Sequence, residues 1–209
     1  PQANQPAKQR DGFAQEAPDR SEQQGNQDDG NQAVVDDRHA AECVLQEPQL
    51  GTAHAAMQAE AALKGRSDLV IVSYADMPLL RPASIAELVR VHRETDAACT
   101  VLTAVVDDPG RLGRVIRGKD DQVTRIVEAA DASPEEAEIR EINTAVYCFR
   151  QSLLAPALRR ITPENAQGEY YLTDAFQQMI EHKRRILAAE VGGWYDCGAP
   201  GTLLELLEE

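Results

Sequence analysis

From Leu45 to Val191, short runs of β-branched residues alternate with amphipathic segments, the pattern of an α/β protein in which strands and helices take turns. Gly51 to Leu63 reads as a helix. Asp68 to Tyr74 reads as a fully buried strand, because its apolar residues follow one another without a polar break. Pro82 to Glu94 predicts a helix with Ile85, Leu88 and Val89 on one face, and Pro82 suits its first position. The apolar period then drops to two, and Ala97–Val106, Gly113–Arg117, Val123–Val127 and Ile142–Phe149 predict strands. Turn signals separate them at Asp107-Asp108-Pro109-Gly110 and at Gly118-Lys119-Asp120-Asp121, the second reading as a hairpin. Helices are expected at Gln151–Arg160 and Leu172–Arg185, the latter capped by Thr173 or Asp174, and a last one from about Pro200.

The first 32 residues break this pattern. They are rich in Gln, Asn, Asp and Gly, with Phe13 as their only large apolar residue, and cannot bury enough surface to offset their ordering entropy. The expected organisation is a disordered polar tail over 1–32 and one domain over 33–209. A net charge of −14 argues against a nucleic-acid-binding surface, which would need clustered Lys and Arg. No apolar stretch approaches the ~18–20 residues that span a bilayer, and the start of the chain lacks the parts of a signal peptide. A soluble, cytoplasmic protein is expected. Cys43, Cys99, Cys148 and Cys197 stand far apart without metal-ligand spacing and read as buried free thiols.

Several segments carry chemistry. Asp68 to Leu80 is an apolar strand ending in Asp76 and followed by proline and a helix. Ligands in open α/β sheets bind beyond the carboxyl ends of strands, so Asp76 is placed either to hold a divalent cation against phosphate or simply to cap the next helix. Gln46 to His54 is a loop entering a helix, where Gly51 permits close backbone approach; the alternative is plain capping. Gly113-Arg114, Ile126-Val127-Glu128, Glu141 to Thr144 and Asn165 to Asp174 set carboxylate, amide and hydroxyl groups at the edges of apolar segments, as a sugar pocket requires.

Taken in order, Gln-Leu-Gly-Thr-Ala-His, Tyr-Ala-Asp-Met-Pro-Leu-Leu, Leu-Gly-Arg-Val, Ile-Val-Glu, Glu-Ile-Asn-Thr and Gln-Gly-Glu-Tyr-Tyr-Leu-Thr-Asp resemble bacterial N-acetylglucosamine-1-phosphate uridylyltransferases over roughly Ala33 to Arg185. The resemblance implies a Rossmann-like nucleotidyltransferase fold, that of nucleotide-diphospho-sugar transferases, with a mixed, mostly parallel sheet. It implies that Gln46, Gly51 and Thr52 contact uracil, and that Tyr74, Ala75 and Asp76 lie along the nucleotide phosphates. Gly113, Glu128, Asn143, Tyr171 and Thr173 would line the amino-sugar pocket. Mg²⁺ would be held by Asp76 and by Asp196, since Gly193 to Pro200 looks like thymidylyl- and related transferases in which an Asp-x-Gly closes the site. Trp194 and Tyr195 as core, with Asp196 as a cap, is the other reading of that segment.

The family's opening strand and Gly-rich loop are not found before Ala33, so a sheet lacking its first strand is expected. Ala75, Ala130 and Ala145 stand where the family commonly has Gly, Lys and Gly, and an acetyltransferase domain of hexapeptide repeats is not expected. The implied reaction is transfer of uridylyl from UTP to N-acetylglucosamine-1-phosphate, releasing pyrophosphate. An inactive chain that binds sugar phosphate, and a transferase for another sugar-1-phosphate and nucleotide, remain open beside it. The implied partners are small-molecule substrates, with no nucleic acid and no membrane.

Overall fold

The computed structural model describes residues 34–36, 39–77 and 80–190. The tail expected over 1–32, Asp196, Cys197 and the helix expected from Pro200 lie outside the described residues. In chain order the elements are β1 (Val34–Asp36), β2 (His39–Ala41), α1 (Thr52–Gln58), α2 (Glu60–Leu63), β3 (Leu69–Val72), α3 (Pro82–Glu94), β4 (Cys99–Val105), β5 (Arg114–Arg117), β6 (Val123–Val127), α4 (Pro134–Ala137), β7 (Glu141–Arg150), α5 (Gln151–Leu158), α6 (Asp174–Glu181) and β8 (Ile186–Glu190). The helix expected from Gly51 to Leu63 is interrupted at Ala59, and that expected from Leu172 to Arg185 is shorter, spanning Asp174–Glu181, with β8 following at Ile186. Sequence periodicity did not announce β1, β2, α4 or β8.

β1 and β2 form a separate antiparallel ribbon. The other six strands make one mixed sheet, ordered β6-β5-β7-β4-β8 with β3 also on β7. Among the described residues β7 runs against β3, β4 and β5, β5 runs against β6, and only the β4–β8 pairing is parallel. The pairing is thus mostly antiparallel, where the resemblance implied mostly parallel. The reason is insertion: β3 and β4 point the same way across the α3 crossover, but β7 lies between them.

Side chains along β7 alternate between two cores, as a period of two demands. Tyr147 and Phe149 enter a core with Val70, Cys99, Val101, Ala53 of α1, Leu154 and Leu158 of α5, and Phe176 and Met179 of α6. Val146 and Cys148 face Leu102 and Leu88 of α3, with Ile85 and Val89 packed alongside. Helices therefore cover both faces. β3 is not fully buried as expected: Val70 is, but Ile71 is 42% exposed, because the cluster around α3 reaches Leu69 on that face and stops short of Ile71. Cys43 is exposed, against the expectation of a buried thiol, whereas Cys99 and Cys148 are buried. Burial pushes the Cys99 thiol far up and that of Cys148 up to about 11, so neither forms a thiolate near neutrality.

β4 covers one edge of β7 throughout. The other edge is shared: β3 takes Tyr147 to Arg150, and β5 takes Ile142, with the Asn143 amide donating to the Gly113 carbonyl at 2.8 Å. Between these two stretches β7 bulges. Thr144, Ala145 and Val146 stand opposite the single residue Leu102 of β4, and Ala145 takes φ 59°. This left-handed conformation costs a residue with a Cβ roughly 1 kcal/mol, and a β-branched one more. Ala145→Gly is accordingly expected to leave stability equal or raise it by up to about 1 kcal/mol, and Ala145→Val to lower it by more than that. Urea unfolding of the three proteins checks the order.

Candidate active site

The fork on β7 is where the sequence-predicted residues gather. β3 ends at Val72 and leads through Tyr74 into the turn at Ala75 and Asp76, while β5 begins just after Gly113 on the same edge of β7. The cleft between them is floored by the bulge.

One wall is built by two loops that clamp each other. The Tyr170 amide donates to the Leu50 carbonyl, the Ala53 amide to the Tyr170 carbonyl (each 2.8 Å), and the Leu172 amide to Thr52 Oγ1 at 2.9 Å. Such backbone pairing requires a close approach. Gly51 has φ 109° and ψ 178°, and a Cβ there would lie 2.7 Å from the Tyr170 oxygen. Only glycine tolerates both conditions. Gln46 closes the same loop, its Nε2 donating to the Gly51 carbonyl at 2.9 Å and meeting His54 Nδ1 at 3.1 Å. Thr52 is not a side-chain cap of α1, which has none; its hydroxyl holds the partner loop instead.

The other wall gathers Gly113, Glu128, Asn143 and Thr173. A Cβ on Gly113 would stand 3.4 Å from Glu128 Oε2 and 3.5 Å from Asn143 Cβ, so the absence of a side chain there leaves room between these two. The Thr173 hydroxyl donates to Glu128 Oε1 at 2.9 Å. That corrects the expectation of a side-chain cap: Thr173 occupies the cap position of α6, but its hydroxyl turns to Glu128. Tyr171 is 8% exposed with its hydroxyl unpartnered among the described residues, and its phenol is pushed up to about 12 by burial and by Asp131, Glu128, Glu169 and Asp174. Tyr74, 38% exposed, stands near Thr52 of one wall and Glu128 of the other. Burial raises its phenol, the Thr52 hydroxyl opposes this, and the Glu128 and Asp76 carboxylates raise it further. Ala75 and Asp76 are exposed at the mouth.

Two residues here escaped the sequence reading. Arg114 appeared only as a neighbour of Gly113, but it is 4% exposed and its guanidinium donates to the carbonyls of Gly110 (3.0 Å), Ala137 (3.2 Å) and Leu112. It fixes the loop that presents Gly113; an arginine opening a strand after a Pro-Gly loop was the available signal. Tyr147 hydrogen-bonds Asn143, and nothing in its apolar surroundings announced it. A separate cavity of about 560 Å³, lined by Asp68, His92, Arg93, Asp96 and Arg150, lies at the opposite end of β3 and shares none of these residues.

Among the described residues no group of three or more His, Cys, Asp or Glu could hold a metal ion by itself. A magnesium ion needs less, since one or two carboxylates plus substrate phosphates suffice. The exposed Asp76 carboxylate fits that limited part, whereas one oxygen of the Glu128 carboxylate already accepts from Thr173.

A cleft beyond the end of a strand in a mixed α/β sheet, with a tight Gly-Thr loop on one side and carboxylate, amide and hydroxyl groups on the other, is the framework of a nucleotidyltransferase. The chain belongs to the nucleotidyl transferase family, whose model matches residues 13–209. The Bifunctional protein GlmU of Desulfitobacterium hafniense (strain DSM 10664 / DCB-2) is 51% identical over 145 residues, covering 69% of this chain and 31% of that protein. That of Acetivibrio thermocellus is 43% identical over 147 residues, covering 70% of this chain and 32% of that protein. The chain thus spans about a third of the length of the curated relatives it matches. Among solved structures, a UDP-glucose pyrophosphorylase complexed with UDP-glucose superposes with TM-score 0.64 at 19% identity, covering 78% of this chain and 64% of that one. A putative glucose-1-phosphate thymidylyltransferase from Bacillus anthracis gives 0.59 at 22%, covering 74% and 58%. These last two bear on the fold alone. The resemblance and the α/β nucleotidyltransferase fold read from the motifs are borne out.

Two outcomes follow from this geometry. Gly51→Ala forces a Cβ into the Tyr170 backbone and should cost about 1–3 kcal/mol, read as a fall in the urea midpoint. The Asp174 carboxyl is pushed up to about 6 by burial and by Glu128 and Asp131, while an unfolded aspartate titrates near ~4. The folded chain therefore binds this proton more tightly, and the stability it gives below pH ~4 is lost as pH rises through about 6. Asp174→Asn should melt higher than the parent at pH 7 and show a shallower decline between pH 4 and 6, measured by thermal melts across that range.

Proposed function

We propose that this chain supplies the site for uridylyl transfer from UTP to N-acetylglucosamine-1-phosphate, giving UDP-N-acetylglucosamine and pyrophosphate. The observation that supports the reading is that the two residue groups that the motifs assign to nucleotide and to sugar flank the cleft on β7. No covalent protein nucleophile is required. In this mechanism Gln46, Gly51 and Thr52 hold the uracil ring against the clamped loops, whose rigidity limits the entropy lost on binding. Tyr74, Ala75 and Asp76 run beside the phosphates. Gly113 admits the sugar ring, and Glu128, Asn143, Tyr171 and Thr173 orient it. A phosphate oxygen of the sugar-1-phosphate then faces the α-phosphorus of UTP in line, and positioning of this kind makes the encounter close to unimolecular.

Asp76, with Asp196 from the segment outside the described residues, would hold Mg²⁺, which when bound neutralises charge developing on the phosphates. The described residues support a role for a cation. Glu128, Asp131, Glu169 and Asp174 surround Tyr171, and the Arg114 guanidinium is taken up by loop carbonyls, so the sugar wall offers phosphate little positive charge.

The division into a 1–32 tail and a 33–209 domain belongs to the same reading, as does a place in the cytoplasm making UDP-sugar for cell-envelope precursors. Among the described residues no helix is long and apolar enough to cross a membrane. The test is pyrophosphate release by the 209-residue chain with UTP, N-acetylglucosamine-1-phosphate and Mg²⁺. Asp76→Ala should reduce the rate at least about a hundredfold, the scale of one group that stabilises transition-state charge, and glucose-1-phosphate or dTTP should serve less well. Absence of release with every substrate pair would contradict the transferase reading.

A further inference from the structure

We infer that Tyr147 is a positioning residue for the sugar, holding the Asn143 amide so that it meets the ligand only as a hydrogen-bond donor; this rests on the sugar-phosphate reading above. A free asparagine amide offers two N–H donors and a carbonyl acceptor, and either end can turn to a ligand. Here the choice is removed. The Ala145 amide donates to Asn143 Oδ1 at 3.0 Å, so the oxygen faces the bulge. Asn143 Nδ2 donates to Tyr147 Oη at 2.8 Å, so one of its hydrogens is taken. The second amide hydrogen has no partner among the described residues, and Asn143 stands beside the space that Gly113 leaves empty.

Tyr147 is suited to this work because it cannot move. It is 1% exposed, and its ring is wedged against Phe149 and Phe176 with centroids 5.7 and 5.2 Å away, in a core where aromatic rings fix one another by shape. Burial, with Tyr74 and Glu128 nearby, pushes its phenol far up, so it stays neutral at working pH. The bulge supplies the other half of the grip. Ala145 presents its amide to Asn143 Oδ1 from its left-handed conformation, so the strain in β7 and the orientation of Asn143 belong to one local structure.

Across the same space stands Glu128. Its Oε1 receives the Thr173 hydroxyl, and its Oε2 faces Gly113. The pocket therefore presents a fixed donor, Asn143 Nδ2, and a fixed acceptor, Glu128 Oε2, on either side of Gly113. A ligand must answer with an acceptor and a donor close together. Neighbouring hydroxyls of a pyranose do so, and so does the secondary amide of an N-acyl sugar. A ligand lacking that pair leaves one of these groups desolvated and unpaired, which is how such sites discriminate.

The experiment is titration of the full chain with N-acetylglucosamine-1-phosphate and, separately, with UTP, by calorimetry. Tyr147→Phe keeps the ring and frees the Asn143 amide. It should weaken sugar-phosphate binding roughly tenfold, the scale of one oriented hydrogen bond, and leave UTP affinity within twofold. Phe149→Leu, which loosens the same aromatic stack without touching Asn143, should lower the melting temperature while leaving both affinities within twofold. Equal sugar-phosphate affinity in Tyr147→Phe and the parent would overturn the inference and leave the sugar-phosphate reading standing. Equal weakening by Phe149→Leu would also overturn it, because Tyr147 would then act only as core. Failure of the parent to bind the sugar phosphate would overturn the reading itself and the inference with it.

Discussion

Everything in this molecule that bears on chemistry depends on the sharing of one edge of β7 by two strands. β3 occupies the end from Tyr147 to Arg150, β5 the end at Ile142, and the bulge at Thr144 to Val146 separates them. A continuous neighbour would have sealed this edge with a ladder of hydrogen bonds. Because the ladder is broken, a cleft opens in the plane of the sheet rather than above it, and its floor is backbone held from behind by β4. Thr144, whose hydroxyl donates to the Leu102 carbonyl at 2.8 Å, ties the bulge to that support.

The walls follow from the same constraint. The turn after β3 delivers Tyr74 and Asp76 to one side of the opening, and the loop before β5 delivers Gly113 to the other. Arg114 gathers the carbonyls of the loop before β5, and the pairing of residues 50–53 with 170–172 holds the two loops of the facing wall. Polar groups that would cost energy if buried unpaired are thus spent on each other, and they fix backbone that lines the cleft. Strain at Ala145 and the Tyr171 hydroxyl, unpartnered among the described residues, are local departures from the best possible stability, located where a site would be expected to keep them.

Much of the fold was legible from pattern. α3 and β6 match their expected ends, and the β5–β6 hairpin closes at Gly118 through Gln122 as its turn residues required. Strand order was not legible, because period and propensity describe one strand at a time and say nothing of the partner that slips between β3 and β4. β8 was hidden behind a run of basic residues that read as the end of a helix. In the candidate site, Gly51, Gly113, Glu128, Asn143 and Thr173 stand at the edges of apolar runs, where any one of them could be turn or cap chemistry, and the resemblance of the ordered motifs is what singled them out. Tyr147 and Arg114 were not found, since a tyrosine amid apolar residues and an arginine at a strand start look ordinary until their hydrogen bonds are known.

The proposed union of a nucleotide wall and a sugar wall in one site at the fork on β7 is tested most directly by mapping amide chemical-shift changes of the chain on addition of UDP-N-acetylglucosamine. A single site gives concurrent changes at Gly51 to Ala53, Gly113 to Arg114, Asn143 to Ala145 and Leu172 to Thr173. Changes confined to one wall, or centred on the cavity around Arg93 and Arg150 at the other end of β3, would contradict it.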